Sequence, residues 1–157
     1  MIRPIGESNK SLIEIARFLG EETSHDILVR GITSNSEEVE PGDLFIALPG
    51  KKVHGAKFIE DAKSNGAVAV LTDLNGKKFV DGQLPTIVVS NPRANVGPLA
   101  DWFYNNPSSS FELYGITGTN GKTTTTYLLN QFCKSAGRST LLLGTLGGEL
   151  CGEVLTS

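Results

Sequence analysis

The sequence has few of the residues that mark disulfide-rich, metal-rich or membrane proteins. Its 157 residues include two cysteines, Cys133 and Cys151, and two histidines, His25 and His54. Two cysteines do not make a disulfide framework, so reduced thiols are the ordinary interpretation and a bridge or metal pair the minor alternative. No segment approaches the roughly 18–20 consecutive apolar residues that span a bilayer, and residues 1–4 lack the apolar run of a signal peptide. We therefore expect a cytoplasmic protein.

A strong charge of either sign is also missing. The 14 basic and 17 acidic side chains give a net charge of −3 at pH 7, with both signs scattered along the chain. No basic field exists that would attract nucleic acid. With 39% hydrophobic and 20% charged residues, the composition is that of a globular protein. We expect a monomer that binds neither nucleic acid nor membranes.

The N-terminal part of the sequence alternates between helix and strand patterns. Leu12, Ile15, Ala16 and Leu19 have the i, i+3, i+4, i+7 spacing of an amphipathic helix that ends at Gly20. A second helix is predicted over 56–65, and strands are predicted over 28–32, 43–48, 67–71 and 86–89. We expect residues 73–83 to form an exposed connection. Asn91 and Pro92 have the pattern of a cap and first turn, which predicts the start of another helix. This alternation predicts a small α/β domain over residues 1–107.

A polar, proline-containing stretch over residues 105–110 predicts a linker before a second domain, residues 111–157. There a strand over 111–116, a helix over 121–136 and a strand over 140–143 predict a βαβ unit with a parallel pair. One such unit has too few strands to cover both faces of a parallel sheet. We therefore expect the second domain to be cut short and the chain to be a fragment of a longer enzyme.

The sequence Gly-Ile-Thr-Gly-Thr-Asn-Gly-Lys-Thr at residues 115–123 predicts a phosphate-binding loop between that strand and helix. Glycines let the backbone N–H groups converge on a phosphate, and the following helix presents its positive end. Lys122 would place an ammonium group on the β- and γ-phosphates of ATP, and Thr123 would offer a hydroxyl to Mg²⁺. The predicted ATP-binding residues are Gly118, Thr119, Asn120, Gly121, Lys122, Thr123 and Thr124.

This loop departs from the common Gly-x-x-x-x-Gly-Lys-Ser/Thr pattern, which would place a glycine at position 116. The chain has Ile116 there, and its glycines stand at 115, 118 and 121. Four threonines, residues 123–126, open the helix although each costs up to ~0.7 kcal/mol relative to alanine, and such local conflict is typical of functional sites. The alternative is a glycine-rich turn before an ordinary helix, and for Thr125 and Thr126 a purely structural role is the favoured interpretation.

Residues 115–125 resemble the ATP loop of the Mur ligases, which has the same shifted glycine spacing. Residues 33–50 and 66–71 resemble the N-terminal substrate domain of that family. Within the family, residues 144–147 point to the member that adds the third peptide residue, and the next enzyme of the pathway is the nearest alternative.

The resemblance implies an ATP-dependent amide ligase of peptidoglycan synthesis that adds a diamino acid to UDP-N-acetylmuramoyl-dipeptide. ATP would phosphorylate the peptide carboxylate, and the amine would attack the acyl phosphate. Lys122 and Thr123 would be the catalytic residues, with ATP and Mg²⁺ as cofactors. The chain would then hold the uridine-binding domain and the opening of the P-loop ATPase domain, and we expect no ligase turnover from it alone. The alternatives are a non-catalytic UDP-sugar-binding module and, with the N-terminal part left unexplained, a P-loop kinase.

Within the substrate domain, Ser36 matches the family position that hydrogen-bonds the uridine, and Ser34 lies beside it. Without the resemblance, serines in such a polar run are more often turn formers, and Asn35 and Glu37 depart from the aspartate and arginine common in the family. Residues 51–53 lie where relatives contact uracil or diphosphate.

The other candidate side chains have ordinary interpretations. We expect His25 and His54 to be solvent-facing, Arg93 to lie on the surface, and Trp102 and Phe103 to belong to the core. Glu149 and Glu153 lack the spacing of metal ligands.

Overall fold

The computed structural model describes residues 8–80 and 82–155. The chain forms two compact units, one that runs to Phe111 and one that begins at Glu112.

The first unit is built on a parallel sheet of four strands. Its elements are β1 (Lys10–Ser11), α1 (Leu12–Phe18), β2 (Leu28–Val29), β3 (Gly31–Thr33), β4 (Asp43–Ile46), α2 (Ile59–Ser64), β5 (Ala69–Thr72), α3 (Leu74–Val80), β6 (Thr86–Val88) and α4 (Pro92–Phe103). The strands lie side by side in the order β3-β4-β5-β6, and all neighbours are parallel. The α/β prediction is therefore confirmed. The predicted strand over 28–32 is divided, because β2 pairs with β1 instead of joining this sheet.

Both faces of the sheet are buried, and alternate residues of each strand serve opposite faces. Leu44 and Ile46 pack in one core cluster with residues of α1 and α4, including Leu12 and Phe103. Phe45 packs in the other cluster with residues of α2 and α3. Because both faces are covered, a polar ligand can approach this sheet at its edges and at the ends of its strands.

Hydrogen bonds of side chains define the starts of α1 and α4. Ser11 and Glu14 form a reciprocal capping box on α1, with Glu14 N donating to Ser11 Oγ at 3.2 Å and Ser11 N to Glu14 Oε2 at 2.7 Å. At α4, Asn91 Oδ1 accepts from Ala94 N at 3.2 Å and Pro92 occupies the first turn. The predicted start of α4 is confirmed.

The prediction of an exposed connection over residues 73–83 was wrong, because this segment contains α3. Asp73 Oδ1 accepts a hydrogen bond from Gly76 N at 2.7 Å, which caps the first turn. Val80, at the end of the helix, is buried in the second core cluster. Burial of Val80 and the cap at Asp73 offset the low helix propensity of Asn75 and Gly76.

The second unit contains α5 (Lys122–Ser135), β7 (Leu141–Gly144), β8 (Gly147–Leu150) and β9 (Glu153–Leu155). The helix and β7 were predicted. The parallel βαβ pairing was wrong, because residues 111–116 form no ladder within the described part of the chain, and β7 pairs antiparallel with β8 and β8 with β9. A hairpin closed by a short turn costs less loop entropy than a crossover connection. Across the described residues no helix is long and apolar enough to cross a membrane.

The close approach at Gly76 gives a stability prediction. A Cβ at this position would lie 2.0 Å from Thr72 Oγ1 and 2.5 Å from His54 Cε1. We expect Gly76→Ala to lower the free energy of unfolding of the first unit by about 1–3 kcal/mol, because overpacking outweighs the gain in helix propensity. Urea denaturation monitored through Trp102 would measure this loss.

Asn75→Ala is the matched control, since Asn75 is exposed in the same helical turn. Its free energy of unfolding should stay within about 0.5 kcal/mol of the original protein. Equal stability of the two variants would contradict the packing at Gly76.

Candidate functional site

The residues predicted to bind the uridine lie at the carboxyl edge of the parallel sheet. Ser34 and Ser36 directly follow β3, and the loops that follow β4, β5 and β6 leave the sheet at the same edge. Ligands of open parallel sheets bind outside the carboxyl ends of the strands. The fold therefore places Ser34 and Ser36 where a ligand can be reached by several loops.

The backbone of Ser36 is held in place by its neighbours, whereas its hydroxyl group has no hydrogen-bond partner among the described residues. It opens a 3₁₀ turn, Ser36–Glu38, that Asn35 caps by accepting from Glu37 N at 3.2 Å. The carbonyl oxygen of Ser36 accepts from Asn65 Nδ2 at 2.9 Å, but the hydroxyl has no hydrogen-bond partner among the described residues. The residue is 9% exposed, whereas Ser34 is fully on the surface. Ser36 thus presents a positioned donor and acceptor at the edge.

The loop between β4 and the 3₁₀ turn Gly55–Phe58 brings positive charge to this edge. Its base is closed by a bridge between Pro49 and His54 and by a bond from Gly55 N to Leu48 O at 2.8 Å. Lys51 and Lys52 at its tip are exposed and have no partner within the described part of the chain. We call residues 49–55 the edge loop.

Arg93 also contacts the edge loop. Its Nη2 donates to the carbonyl oxygen of Pro49 at 2.9 Å, although the two residues are 44 positions apart. The expected surface location is confirmed, and the side chain links the start of α4 to the loop that follows β4.

The prediction that His54 is solvent-facing was wrong, whereas His25 is exposed as expected. The His54 side chain is 13% exposed. Its Nδ1 accepts from Ala56 N at 3.0 Å, and its Nε2 lies 3.1 Å from Asp73 Oδ1. Because Nδ1 is an acceptor, hydrogen bonding assigns the proton to Nε2, which donates to the carboxylate. Sequence spacing did not reveal this pair, since only the adjacency of β4 and β5 brings the two residues together.

The environment of Asp73 lowers its pKa. Burial by itself would raise the pKa of this carboxyl group, but the hydrogen bonds from Gly76 N and from the His54 ring outweigh that effect. Asp73 is therefore ionised at neutral pH.

The aromatic residues before the linker have a structural role, as expected. Phe103 is fully buried, and Trp102 stacks on Phe18 with ring centroids 4.6 Å apart.

The phosphate loop of the second unit has an exposed backbone and an uncapped helix behind it. Gly121, with φ 76°, occupies the N-cap position of α5, and no side chain caps the helix. Nothing lies within 4 Å of the position where a Cβ of Gly121 would be. The first N–H groups of α5 therefore have no side-chain acceptor in the described part of the chain, and the helix dipole adds positive potential there.

Around this loop, the side chains of Lys122 and Thr126 form hydrogen bonds within the unit, whereas those of Thr123 and Thr124 form none among the described residues. Lys122 Nζ donates to the carbonyl oxygens of Gly118 and Thr119, so the ammonium group lies over the loop. Thr126 Oγ1 donates to Lys122 O at 2.7 Å inside the helix, which agrees with its structural interpretation. Thr123 and Thr124 are exposed, and in the described part of the chain their hydroxyls have no partner.

This arrangement fits a triphosphate. The loop offers N–H donors without a side-chain cap, a cation and, at Gly118 and Gly121, no Cβ, which are the features that recognise phosphate groups. The described residues contain no group of three or more His, Cys, Asp or Glu that could hold a metal. The exposed Thr123 hydroxyl is therefore the predicted Mg²⁺ ligand that this loop presents. Glu149 is bound to Lys134 and Asn130, so it is not a free metal ligand.

Comparison with known proteins gives concordant matches for both units. Residues 28–104 match the profile described as "Mur ligase family, catalytic domain", and residues 116–155 match "Mur ligase middle domain". The chain is 45% identical over 157 residues to the UDP-N-acetylmuramoyl-L-alanyl-D-glutamate--2,6-diaminopimelate ligase of Streptomyces avermitilis. That match covers 99% of this chain and 31% of the relative. The chain thus spans about one third of the length of this curated relative.

Two solved structures extend the similarity to the fold. A UDP-N-acetylmuramoyl-L-alanyl-D-glutamate--2,6-diaminopimelate ligase superposes with a TM-score of 0.70 and 26% identity, covering 93% of this chain and 30% of that one. The MurF ligase of Thermotoga maritima in complex with ADP superposes with a TM-score of 0.52 and 32% identity, covering 68% of this chain and 24% of that one.

The lowered pKa of Asp73 predicts an acid-dependent loss of stability. The folded state binds this proton less readily than the unfolded state, for which the pKa is about 3.8. The stabilisation is therefore complete above that value and is lost as pH falls through the lower folded pKa.

We expect Asp73→Asn to be less stable than the original protein at pH 7, and the difference to shrink as pH falls through the lowered folded pKa of Asp73, below which the carboxyl group is as uncharged as the amide. Urea midpoints measured between pH 2 and pH 7 would test this, the two pH limits being about those that bracket carboxyl titration. A difference that is the same at every pH would show that the charge of Asp73 contributes nothing.

Proposed function

We propose a function from one premise, namely that the chain belongs to the Mur ligase family, as both profile matches and the identity along the whole chain show. It is the N-terminal third of an ATP-dependent amide ligase that adds a diamino acid to UDP-N-acetylmuramoyl-dipeptide in peptidoglycan synthesis. The diamino acid named for the relative from Streptomyces avermitilis is 2,6-diaminopimelate. The observation that carries this proposal is the phosphate loop before the uncapped helix α5, with Lys122 above it.

The two units would divide the substrates between them. Residues 1–107 would bind the uridine end of the UDP-muramoyl peptide, and residues 111–157 would form the opening of the ATP-binding domain. The unused Ser36 hydroxyl at the carboxyl edge supports the first assignment. The free N–H groups and glycines of the loop support the second.

In the reaction, the substrate's peptide carboxylate attacks the γ-phosphorus of ATP, and ADP leaves. The amine of the diamino acid then attacks the acyl phosphate, which forms the amide and releases phosphate. Lys122 and the N–H groups at the start of α5 would stabilise the negative charge on the transferring phosphoryl group. Thr123 would contribute a hydroxyl ligand to Mg²⁺, which would supply positive charge to neutralise the phosphates when bound.

A second candidate function is a UDP-sugar-binding module without chemistry. This candidate is supported by the described residues, which include the phosphate loop but no group of three or more His, Cys, Asp or Glu that could hold the metal. The next ligase of the pathway is the alternative within the family, supported by the similarity to the MurF ligase. Amide formation by the 157-residue chain would exclude the non-catalytic module.

The Ser36 hydroxyl provides the test of the uridine site. We expect Ser36→Ala to weaken binding of UDP-N-acetylmuramoyl-dipeptide about three- to tenfold, the effect of one lost hydrogen bond of about 0.5–1.5 kcal/mol. Since the hydroxyl has no partner among the described residues, the free energy of unfolding should change by less than about 0.5 kcal/mol. Isothermal titration calorimetry would give the affinities.

Ser64→Ala is the control, because Ser64 is an exposed serine of α2. No heat with the original chain, or equal affinity for Ser36→Ala and Ser64→Ala, would remove the uridine assignment.

Lys122 provides the test of the ATP site. We expect Lys122→Ala to weaken ATP binding at least about tenfold, since a hydrogen bond to a charged group is worth about 1.5–3 kcal/mol. Titration of a fluorescent ATP analogue with Mg²⁺ present would measure the loss. Thr125→Ala is the control, because Thr125 is an exposed residue of the same helix that is assigned a structural role. This variant should bind ATP as tightly as the original chain. A tenfold loss of affinity would contradict the assignment of Thr125 to a structural role.

A further inference from the structure

The bond between His54 and Asp73 has no part in the function proposed above, yet it lies at the same edge of the sheet as Ser36. Asp73 directly follows β5, and His54 lies near the end of the edge loop that follows β4. One oxygen, Asp73 Oδ1, accepts from both His54 Nε2 at 3.1 Å and Gly76 N at 2.7 Å. A single carboxylate atom therefore joins the edge loop to the first turn of α3.

The imidazole ring is fixed by contacts on several sides. Nδ1 accepts from Ala56 N at 3.0 Å, so the ring also caps the 3₁₀ turn Gly55–Phe58. Gly76 brings the backbone of α3 so close that a Cβ would lie 2.5 Å from His54 Cε1. The Phe79 ring stacks at a centroid distance of 6.1 Å. With both nitrogens hydrogen-bonded, Gly76 against one edge and Phe79 stacked on the ring, the imidazole is held in one orientation.

Fixing His54 fixes the edge loop, because the loop is narrow. A Cβ on Gly50 would lie 2.3 Å from Val53 O, so the two sides of the loop run close together next to the bridge between Pro49 and His54. Arg93 holds the other end through Pro49 O at 2.9 Å. Between the two anchors the tip, residues 51–53, is exposed and makes no side-chain hydrogen bond or ion pair within the described part of the chain. An ordered base thus carries a tip that is free to meet a ligand.

We propose that His54 and Asp73 are positioning residues that hold the edge loop so that the ammonium groups of Lys51 and Lys52 meet the diphosphate of the bound UDP-muramoyl peptide. The inference rests on the proposed function, since it takes the uridine end of that substrate as the ligand. Two cations on a preordered loop suit a diphosphate, because the opposite charges attract and the loop has little backbone freedom left to lose on binding.

Limited proteolysis tests the ordering of the loop without any ligand. Trypsin cleaves after lysine, so the exposed Lys51 and Lys52 report directly on the edge loop. We expect His54→Asn, which keeps an acceptor for Ala56 N but cannot reach Asp73, to be cut there about tenfold faster than the original chain. Such a rise corresponds to a tenfold larger open population when opening is fast. Cleavage after Lys122, in the other unit, is the internal reference.

His54→Gln is the matched conservative variant. Its amide nitrogen lies near the position of Nε2 and can still donate to Asp73, while the cap on Ala56 is lost. We expect Gln to restore slow cleavage after Lys51 and Lys52, and Asn not to. His25→Asn changes an exposed histidine of the same unit and should leave cleavage unchanged. Equal cleavage of the Asn and Gln variants would overturn the role of the Asp73 bond.

Calorimetric titration with UDP-N-acetylmuramoyl-dipeptide then tests the link to binding. If the loop is competent for about one tenth of the time in His54→Asn, the affinity falls about tenfold, and His54→Gln should recover it. Asp73→Asn keeps an acceptor oxygen, so it should lose less affinity than Asp73→Ala, which removes the hydrogen bonds from His54 Nε2 and Gly76 N. If Asp73→Ala binds no ligand, its rate of cleavage after Lys51 and Lys52 still reports on the order of the loop.

The outcomes separate the two proposals. An original chain that binds no UDP-N-acetylmuramoyl-dipeptide overturns the proposed function and, with it, this role of the loop. Binding that is sensitive to Ser36→Ala but unchanged in His54→Asn and Asp73→Ala leaves the function in place and overturns the positioning role alone.

Discussion

The central constraint on the first unit is that its parallel sheet is buried on both faces. Each of the strands β4 and β5 supplies side chains to two separate cores, as with Leu44 on one face and Phe45 on the other. Full burial of such a side chain contributes about 1.5–3 kcal/mol, so neither face can be given up to a polar ligand. The carboxyl edge is what remains, and the loops that leave the sheet there carry the unpaired polar groups.

Tertiary hydrogen bonds order that edge. Arg93 reaches Pro49 across 44 positions and His54 reaches Asp73 across 19, and both contacts connect loops that follow different strands. The strand order β3-β4-β5-β6 makes these loops neighbours. The same sheet that excludes ligands from its faces therefore assembles the residues that we propose bind one, with Ser36 held by Asn65 at the β3 end.

The second unit supports its site in another way. Leu128, Phe132, Leu141 and Leu143 are each more than half exposed in this chain. Backbone conformation shapes the phosphate loop, because Gly118 and Gly121 adopt positive φ values that other residues rarely take. The contact of Lys122 with the loop carbonyls adds to this. A loop specified by local chemistry is also one that can be recognised from local sequence.

This difference explains which features the sequence determined by itself. The helix start at Asn91 and Pro92, the strands of the parallel sheet and the phosphate loop depend on neighbours along the chain, and each followed from propensity, capping or glycine spacing. The helix at Leu74–Val80, the burial of His54 and the antiparallel pairing of β7 did not follow, since the decisive partners lie in other elements. Asp73 shows the limit most clearly: the sequence places it in a polar connection, and only the adjacency of β4 and β5 makes it the acceptor that joins a loop to a helix. Local chemistry determined the loop that we propose binds phosphate, and tertiary packing decided how the edge of the sheet is held, because hydrogen bonds between distant residues exist only once the sheet has formed.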